Sequence, residues 1–166
     1  RLFDRMLKSY QLGNKELVDQ EMKKEILSYQ PDIIGFSTIS EVIYDTAECV
    51  SFIRGFFEGT IVAGGHHCTA LPQISLNKMP SLDYVVVGEA EYSILSLAKG
   101  DSPHHTEGLV TRKSEKPNWT HPRIENLDDL PLPDYSIFDM DYYTEANKDT
   151  VRGIYLRTAC ILTSRG

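Results

Sequence analysis

Residues 60–65, TIVAGG, form a short apolar run that ends in two glycines, and two similar runs occur elsewhere in the chain. PDIIGFS lies before it at 31–37, and LDYVVVGE lies after it at 82–89. All three are rich in β-branched residues and lack an alternation of apolar and polar residues, which is typical of strands buried on both faces of a parallel sheet. The segments between them have helical spacing. The sequence therefore predicts an α/β fold with a doubly wound, mostly parallel sheet and flanking helices.

Helical spacing marks four segments, one at 14–29 and one after each of the three predicted strands. Asn14 is the predicted N-cap of the first helix, Pro72 suits the first turn of the third, and Gly100 suits the end of the last. The residues predicted to face the core are, in chain order, Val18, Met22, Ile26 and Tyr29; Ile43, Ala47, Val50 and Phe57; Leu71, Ile74 and Met79; and Tyr92, Leu95 and Ala98.

The composition excludes several classes of protein. Hydrophobic residues make up 41% and charged residues 25% of the chain, which is typical of a globular protein. The net charge of −7 argues against a nucleic-acid surface, which needs clustered Lys and Arg. The longest apolar runs are too short to span a membrane, and the N-terminal residues show no signal peptide. Three well-separated cysteines, Cys49, Cys68 and Cys160, argue against a disulfide framework and fit a reducing compartment, so we expect a cytoplasmic protein.

The character of the sequence changes after its first hundred residues. We expect 1–100 to form a domain that lacks its first strand, because the opening RLFD reads as the end of a strand. We expect 101–150 to form a small hairpin, with GLVTRK as a strand, followed by the acidic, proline-containing linker NLDDLPLPDYSIFD. Residues 151–166 are predicted to begin another domain, with a strand from Ile154 to Thr163.

Small or polar residues follow each predicted strand: STIS at 37–40, GGHH at 64–67 and GEAE at 88–91. In an open parallel sheet, ligands bind beyond the carboxyl ends of the strands, so we expect these segments to lie along one binding edge. Ser37 and Thr38 either donate hydrogen bonds to a ligand or cap the following helix. The glycines of GGHH either let a flat group approach the backbone or only form a turn. The glutamates of GEAE are better explained by a structural role at the start of a helix than by a ligand.

The run His66-His67-Cys68 does not predict a metal site. Adjacent side chains diverge by about 100° on a helix and point to opposite faces on a strand, so three in a row rarely converge on one ion. Structural zinc sites space their ligands by about two to four residues and need a fourth ligand, and no CxxC or HxxxH is nearby. The chain also contains neither GxGxxG nor GxxxxGK, and no nucleophile triad can be assembled. The sequence therefore predicts no metal ligands and no catalytic residues.

Five segments in order resemble the N-terminal half of cobalamin-dependent radical SAM enzymes: PDIIGFSTIS, IVAGGHHCTALP, LDYVVVGEAE, NLDDLPLPDY and ACILTSRG. This family includes anaerobic magnesium-protoporphyrin IX monomethyl ester cyclases and related methyltransferases. The resemblance covers nearly the whole chain, and the ordered set is more specific than any one motif. It implies a Rossmann-like cobalamin-binding domain whose parent enzyme catalyses methyl transfer or oxidative cyclisation. It also implies that the last strand begins the radical SAM barrel.

The resemblance assigns cofactor-binding roles to residues at the strand ends. Ser37, Thr38 and Ile39 match the family's Ser-x-Leu element, with Ile39 in place of Leu, and Gly64 and Gly65 match its Gly-Gly element. In this fold class the dimethylbenzimidazole tail of cobalamin is buried beside these positions, where the Ser hydroxyl reaches a tail nitrogen and the glycines leave room for the ring. The remaining cofactor-binding candidates at the same edge are His66, Gly88 and Glu89.

The sequence departs from the family's pattern in two places. Met6 stands where the cobalt-ligating His of an Asp-x-His-x-x-Gly element would be. The family's CxxxCxxC loop, which holds a four-iron, four-sulfur cluster and S-adenosylmethionine, would follow TSRG, but the sequence stops at Gly166 and Cys160 lies too early. We therefore expect the cluster to belong to the C-terminal barrel of the parent, which would be this domain's partner. Whether this chain alone is an enzyme is left open.

Two alternatives remain at the level of sequence. One is a non-catalytic doubly wound domain, flavodoxin-like or receiver-like, that acts by protein contact, although the strand ends carry Ser, Gly and Glu rather than a receiver's acidic cluster. The other is a radical SAM N-terminal domain that has lost cobalamin and only recognises substrate.

Overall fold

A four-stranded sheet forms the centre of the molecule. A computed structural model describes residues 14–113, 122–144, 150–151 and 154–155. Within them the sheet order is β1-β2-β3-β4, with β1 to β3 parallel and β4 antiparallel to β3. The strands are β1 Ile33–Ser37, β2 Thr60–Gly64, β3 Tyr84–Val86 and β4 Leu109–Val110. The predicted α/β fold with a mostly parallel sheet is confirmed, and the arrangement is Rossmann-like.

Helices connect the strands and follow them. They are α1 Lys15–Tyr29, α2 Ile43–Arg54, α3 His66–Ala70, α4 Pro72–Lys78, α5 Glu91–Ala98 and the short α6 Met140–Tyr143. Single 3-10 turns lie at Ser40–Val42, Pro103–His105, Leu127–Asp129 and Tyr135–Ile137. None of the helices in the described residues combines the length and apolar character that a membrane span requires.

The segment after residue 100 matches its prediction in part. GLVTRK contributes β4, as expected, whereas the segment predicted as an extended linker contains two 3-10 turns, each begun by an Asn or Asp side chain. The predicted strand from Ile154 begins as expected: Ile154–Tyr155 pairs antiparallel with Thr150–Val151. Its remainder lies outside the described residues, as do Met6, Cys160 and the TSRG segment.

The two faces of the sheet are covered by different helices. On the first face, the strand residues pack against the buried sides of α1, α2 and α4, and this cluster contains Ile34, Phe36, Ile61, Ala63, Val85 and Val87. On the second face, Val62, Val86 and Leu109 pack against Ala90, Ile94 and Leu97 at α5. Helices on both faces are what a doubly wound sheet requires, and each fully buried aliphatic side chain contributes about 1.5–3 kcal/mol.

The predicted faces were correct at most positions of the long helices and at few positions of the short ones. In α1, the Asn14 side chain accepts from the Leu17 amide at 3.2 Å and Val18, Met22 and Ile26 are buried, as expected. Tyr29 is 83% exposed, however, because α1 ends there and Gln30 turns the chain away with a left-handed backbone. In α2, Ile43 and Val50 are buried and Ala47 is half-buried, while Phe57 is buried beyond the end of the helix.

In α5 the exposed and buried faces are the reverse of the prediction. Tyr92 and Leu95 are about half exposed, while Ile94 and Leu97 pack on the sheet and the buried Ser93 hydroxyl donates to the Glu107 carbonyl. In the short helical segment before β3, Leu71 and Ile74 were predicted to face the core but are exposed, whereas Met79 is buried as predicted. Short apolar helices offer more than one possible core face, and the sheet below selects among them.

One ion pair ties together the amino ends of β2 and β3. Asp83 accepts from the Arg54 guanidinium at 2.6 Å and from the Ile61 amide at 2.8 Å. Arg54 also donates to the carbonyls of Phe57 and Gly59, which precede β2. The pair therefore satisfies several backbone groups that the sheet leaves without a strand partner.

Replacing Asp83 with Ala is expected to destabilise the protein by about 1–2 kcal/mol, because the change leaves a half-buried guanidinium and a strand amide without their acceptor. Urea unfolding followed by circular dichroism measures the effect. The matched control is Glu48→Ala, which removes an ion pair to Lys15 between two exposed side chains and should leave the midpoint unchanged. Equal effects of the two substitutions would contradict the role assigned to Asp83.

Candidate functional site

The carboxyl ends of β1 and β2 lie side by side and form the centre of the candidate site. The strands are paired in register, with Gly35 opposite Val62 and Ser37 opposite Gly64. Because paired residues of neighbouring strands share a face, Gly35, Ser37 and Gly64 lie on the second face of the sheet, the one that α5 covers in part. Gly35 and Ser37 are exposed, and Gly64 is half-buried.

Thr38 holds the two loops that follow these strands together. Its side chain is fully buried, and both its amide and its hydroxyl donate to the Gly64 carbonyl at 2.8 Å. The same hydroxyl lies 3.0 Å from the Cys68 sulfur. The predicted alternatives for this residue were a ligand contact or a helix cap. The structure shows a third arrangement, in which the hydroxyl is used within the protein.

Gly65 is explained by the protein's own backbone. Its φ is +94°, and a Cβ atom there would lie 2.6 Å from the Thr38 carbonyl oxygen and 2.8 Å from the Thr38 nitrogen. Any other residue would meet both a strained backbone and a backbone clash. The turn alone therefore requires glycine at this position.

Gly35 and Gly64 are not explained in this way. A Cβ atom at Gly64 would meet Val86 at 3.5 Å or more, and one at Gly35 would meet only Val62, at 3.7 Å. These are ordinary contact distances, so the packing of the protein leaves room for a side chain at both positions. Gly35 and Gly64 thus form a patch of bare backbone beside the exposed Ser37, and we call these three residues the glycine floor. Among the described residues, the Ser37 hydroxyl makes no hydrogen bond.

The third strand end does not lie bare in this way, because a later segment of the chain covers it. A Cβ atom at Gly88 would lie 2.9 Å from the Pro122 carbonyl oxygen, and the Glu89 amide donates to that oxygen at 3.0 Å. The Glu89 carboxylate accepts from the Ile124 amide. The structure thus brings the first two predicted strand ends together in the glycine floor and places Gly88 and Glu89 against the chain's own backbone.

The histidines after Gly65 occupy different environments. His66 is exposed at the start of α3, and Ile39, the counterpart of the family's Leu, is 47% exposed on the opposite loop. His67 is half-buried, and its Nδ1 atom lies 2.9 Å from the Ser40 hydroxyl. Sequence reasoning placed both His66 and His67 at the binding edge but did not identify Gly35 or the contact between Ser40 and His67. A glycine in the middle of a predicted buried strand was the available signal for Gly35.

The described residues contain no group of three or more His, Cys, Asp or Glu side chains that could hold a metal ion. Cys68 is fully buried. Burial, and then the charge of Asp19, raises the pKa of the Cys49 thiol, so this group stays protonated at neutral pH and is a poor nucleophile. These residues therefore offer a ligand a flat surface and one available hydroxyl group.

The two neighbouring glycines are expected to respond differently to alanine. Gly65→Ala should destabilise the protein by about 1–3 kcal/mol because it forces a Cβ into the Thr38 backbone at positive φ. Gly64→Ala should change stability by less than about 0.5 kcal/mol, because its Cβ meets only ordinary contacts. Urea unfolding of both variants measures the difference. A loss for Gly64→Ala as large as that for Gly65→Ala would show that the floor has no free space.

Comparison with known proteins gives one clear similarity. The chain is 29% identical over 136 residues to an uncharacterized methyltransferase of Pyrococcus horikoshii, an alignment that covers 78% of this chain and 30% of that protein. No protein-family model and no solved structure matches the chain. The chain thus spans about 30% of the length of the relative. The chain is therefore similar to a part of that methyltransferase.

Proposed function

We propose that this chain is the cobalamin-binding domain of a radical SAM methyltransferase. The observation that carries the proposal is the glycine floor, a strip of bare backbone beside an available Ser37 hydroxyl at the carboxyl ends of β1 and β2. This is where an open parallel sheet binds its ligands. Similarity to a methyltransferase favours methyl transfer over the cyclisation that the resemblance also allows.

The residues of the floor fit the dimethylbenzimidazole tail of cobalamin. A flat aromatic ring gains most from a surface without Cβ atoms, and Gly35 and Gly64 provide such a surface on adjacent strands. The Ser37 hydroxyl is available to donate to a ring nitrogen. Thr38 and Gly65 contribute by holding both loops in place rather than by contact with the ring. When bound, cobalamin supplies a cobalt centre that carries a methyl group.

The remaining parts of the reaction would lie in the parent enzyme. The proposal places the iron-sulfur cluster and S-adenosylmethionine in a C-terminal barrel, which is consistent with the small share of the relative that this chain covers. The segment that leads toward residue 150 offers apolar surface to such a neighbour, since Leu132 is 92% and Ile137 is 75% exposed. The domain described here would bind and orient the cofactor for that barrel.

The chain is expected to take up about one equivalent of aquocobalamin under anaerobic conditions, measured by visible absorption titration. Gly35→Val should weaken binding at least about tenfold, or about 1.4 kcal/mol, because the new side chain occupies the floor. The substitution should not unfold the chain, because Val suits a strand and the position is exposed. Ser51→Val, which adds the same side chain on the exposed surface of α2, is the control and should bind normally.

Cobinamide, which lacks the nucleotide tail, separates a tail site from a site for the corrin ring. We expect cobinamide to bind more weakly than cobalamin and to bind equally well to the native chain and to Gly35→Val. A native chain that takes up no cobalamin would overturn the proposal and favour a domain that acts by substrate or protein contact. Normal cobalamin binding by Gly35→Val would overturn the assignment of the floor.

A further inference from the structure

His67 contains a buried polar atom that the fold does not satisfy. Its Nδ1 atom lies 2.9 Å from the Ser40 hydroxyl, while its Nε2 atom is shielded from water and has no hydrogen-bond partner among the described residues. Buried polar atoms without a partner are rare in native proteins, because each one loses its hydrogen bonds to water on folding. The atom therefore calls for an explanation.

The choice of tautomer does not remove the problem. If the Ser40 hydroxyl donates to Nδ1, then Nε2 carries a proton and lacks an acceptor. If Nδ1 carries the proton and donates to Ser40, then Nε2 has a lone pair and lacks a donor. In both cases one ring nitrogen contacts Ser40, and the other lacks a partner that the described part of the chain supplies.

The position of the imidazole connects it to the glycine floor. His67 follows Gly64 by three residues, and Ser40 follows Ser37 by three residues, so the pair joins the same two loops as the Thr38 hydrogen bonds. The His67 amide also donates to the Thr38 carbonyl at 3.3 Å. The unsatisfied nitrogen thus belongs to the loops that border the floor.

We propose that His67 is a cofactor-binding residue whose Nε2 atom hydrogen-bonds an amide or phosphate group of the cofactor on the glycine floor, and that Ser40 is the positioning residue that holds the imidazole. The inference rests on the proposed function. Because Nε2 is shielded, the proposal includes a small movement of the start of α3 that opens Nε2 to the cofactor while the contact between Nδ1 and Ser40 is kept.

The test compares His67→Phe with the matched control His105→Phe, the same change at an exposed histidine that is not among the cofactor-binding candidates, in the full chain. Two quantities are measured: the affinity for aquocobalamin by visible absorption titration, and the unfolding midpoint without cofactor. His67→Phe should weaken binding about tenfold, since one hydrogen bond to the cofactor is lost. Its unfolding midpoint should stay equal or rise, because a phenyl ring replaces a buried nitrogen that had no partner. His105→Phe should change neither quantity.

Two further variants test the hydrogen bond of His67 and its positioning by Ser40. His67→Gln, which keeps a polar end, should bind more tightly than His67→Phe, and Ser40→Ala should weaken binding by a smaller factor without a change of fold. Unaltered affinity in His67→Phe, or a lower midpoint without cofactor, would overturn the inference while leaving the proposed function intact. A native chain that takes up no cobalamin would instead overturn the proposed function, and this inference with it.

Discussion

Two hydrogen bonds from Thr38 to a single acceptor, the Gly64 carbonyl oxygen, hold together the loops that follow the first two strands. They work only because Gly65 has no side chain, since a Cβ there would lie within 2.8 Å of Thr38 backbone atoms. The buried sulfur of Cys68, in α3, contacts the same Thr38 hydroxyl. The glycine floor therefore lies beside two loops that hydrogen bonds join directly.

The two adjacent glycines at the end of β2, Gly64 and Gly65, therefore have different roles. Gly65 is needed for the turn, whereas Gly64 has room for a methyl group within the protein's own packing. A glycine that the fold does not require says more about a ligand than one that the turn requires. At such a position the protein loses side-chain packing and gains nothing in its own structure. Gly35, one strand away on the same face of the sheet, is likewise not required by the packing of the fold.

The features that we propose to bind the cofactor do not contribute to the stability of the isolated fold. A valine at Gly35 and an apolar ring at His67 would each suit the isolated fold, yet the chain carries bare backbone at one position and an unsatisfied nitrogen at the other. Binding sites commonly retain such locally unfavourable features, because the ligand supplies the missing contact. Both features lie in elements that adjoin the same two loops, in a chain similar to a methyltransferase, and this links the proposed function with the role proposed for His67.

The sequence by itself determined the sheet and the long helices. Continuous β-branched runs have one stable environment, a sheet covered on both faces, and fifteen residues of α1 contain enough turns to define a single apolar stripe. The same information did not orient α5, where five of eight residues are apolar or aromatic and Ile94 rather than Leu95 packs on the sheet.

The site was only partly encoded in local sequence. The strand ends at Ser37 and Gly64 were evident as small or polar residues after buried runs. The coverage of Gly88 by Pro122, the divergent roles of Gly64 and Gly65, and the Ser40–His67 contact were decided by tertiary structure alone. Each depends on atoms from segments distant in sequence meeting within a few ångströms, and neither composition nor periodicity specifies such a distance.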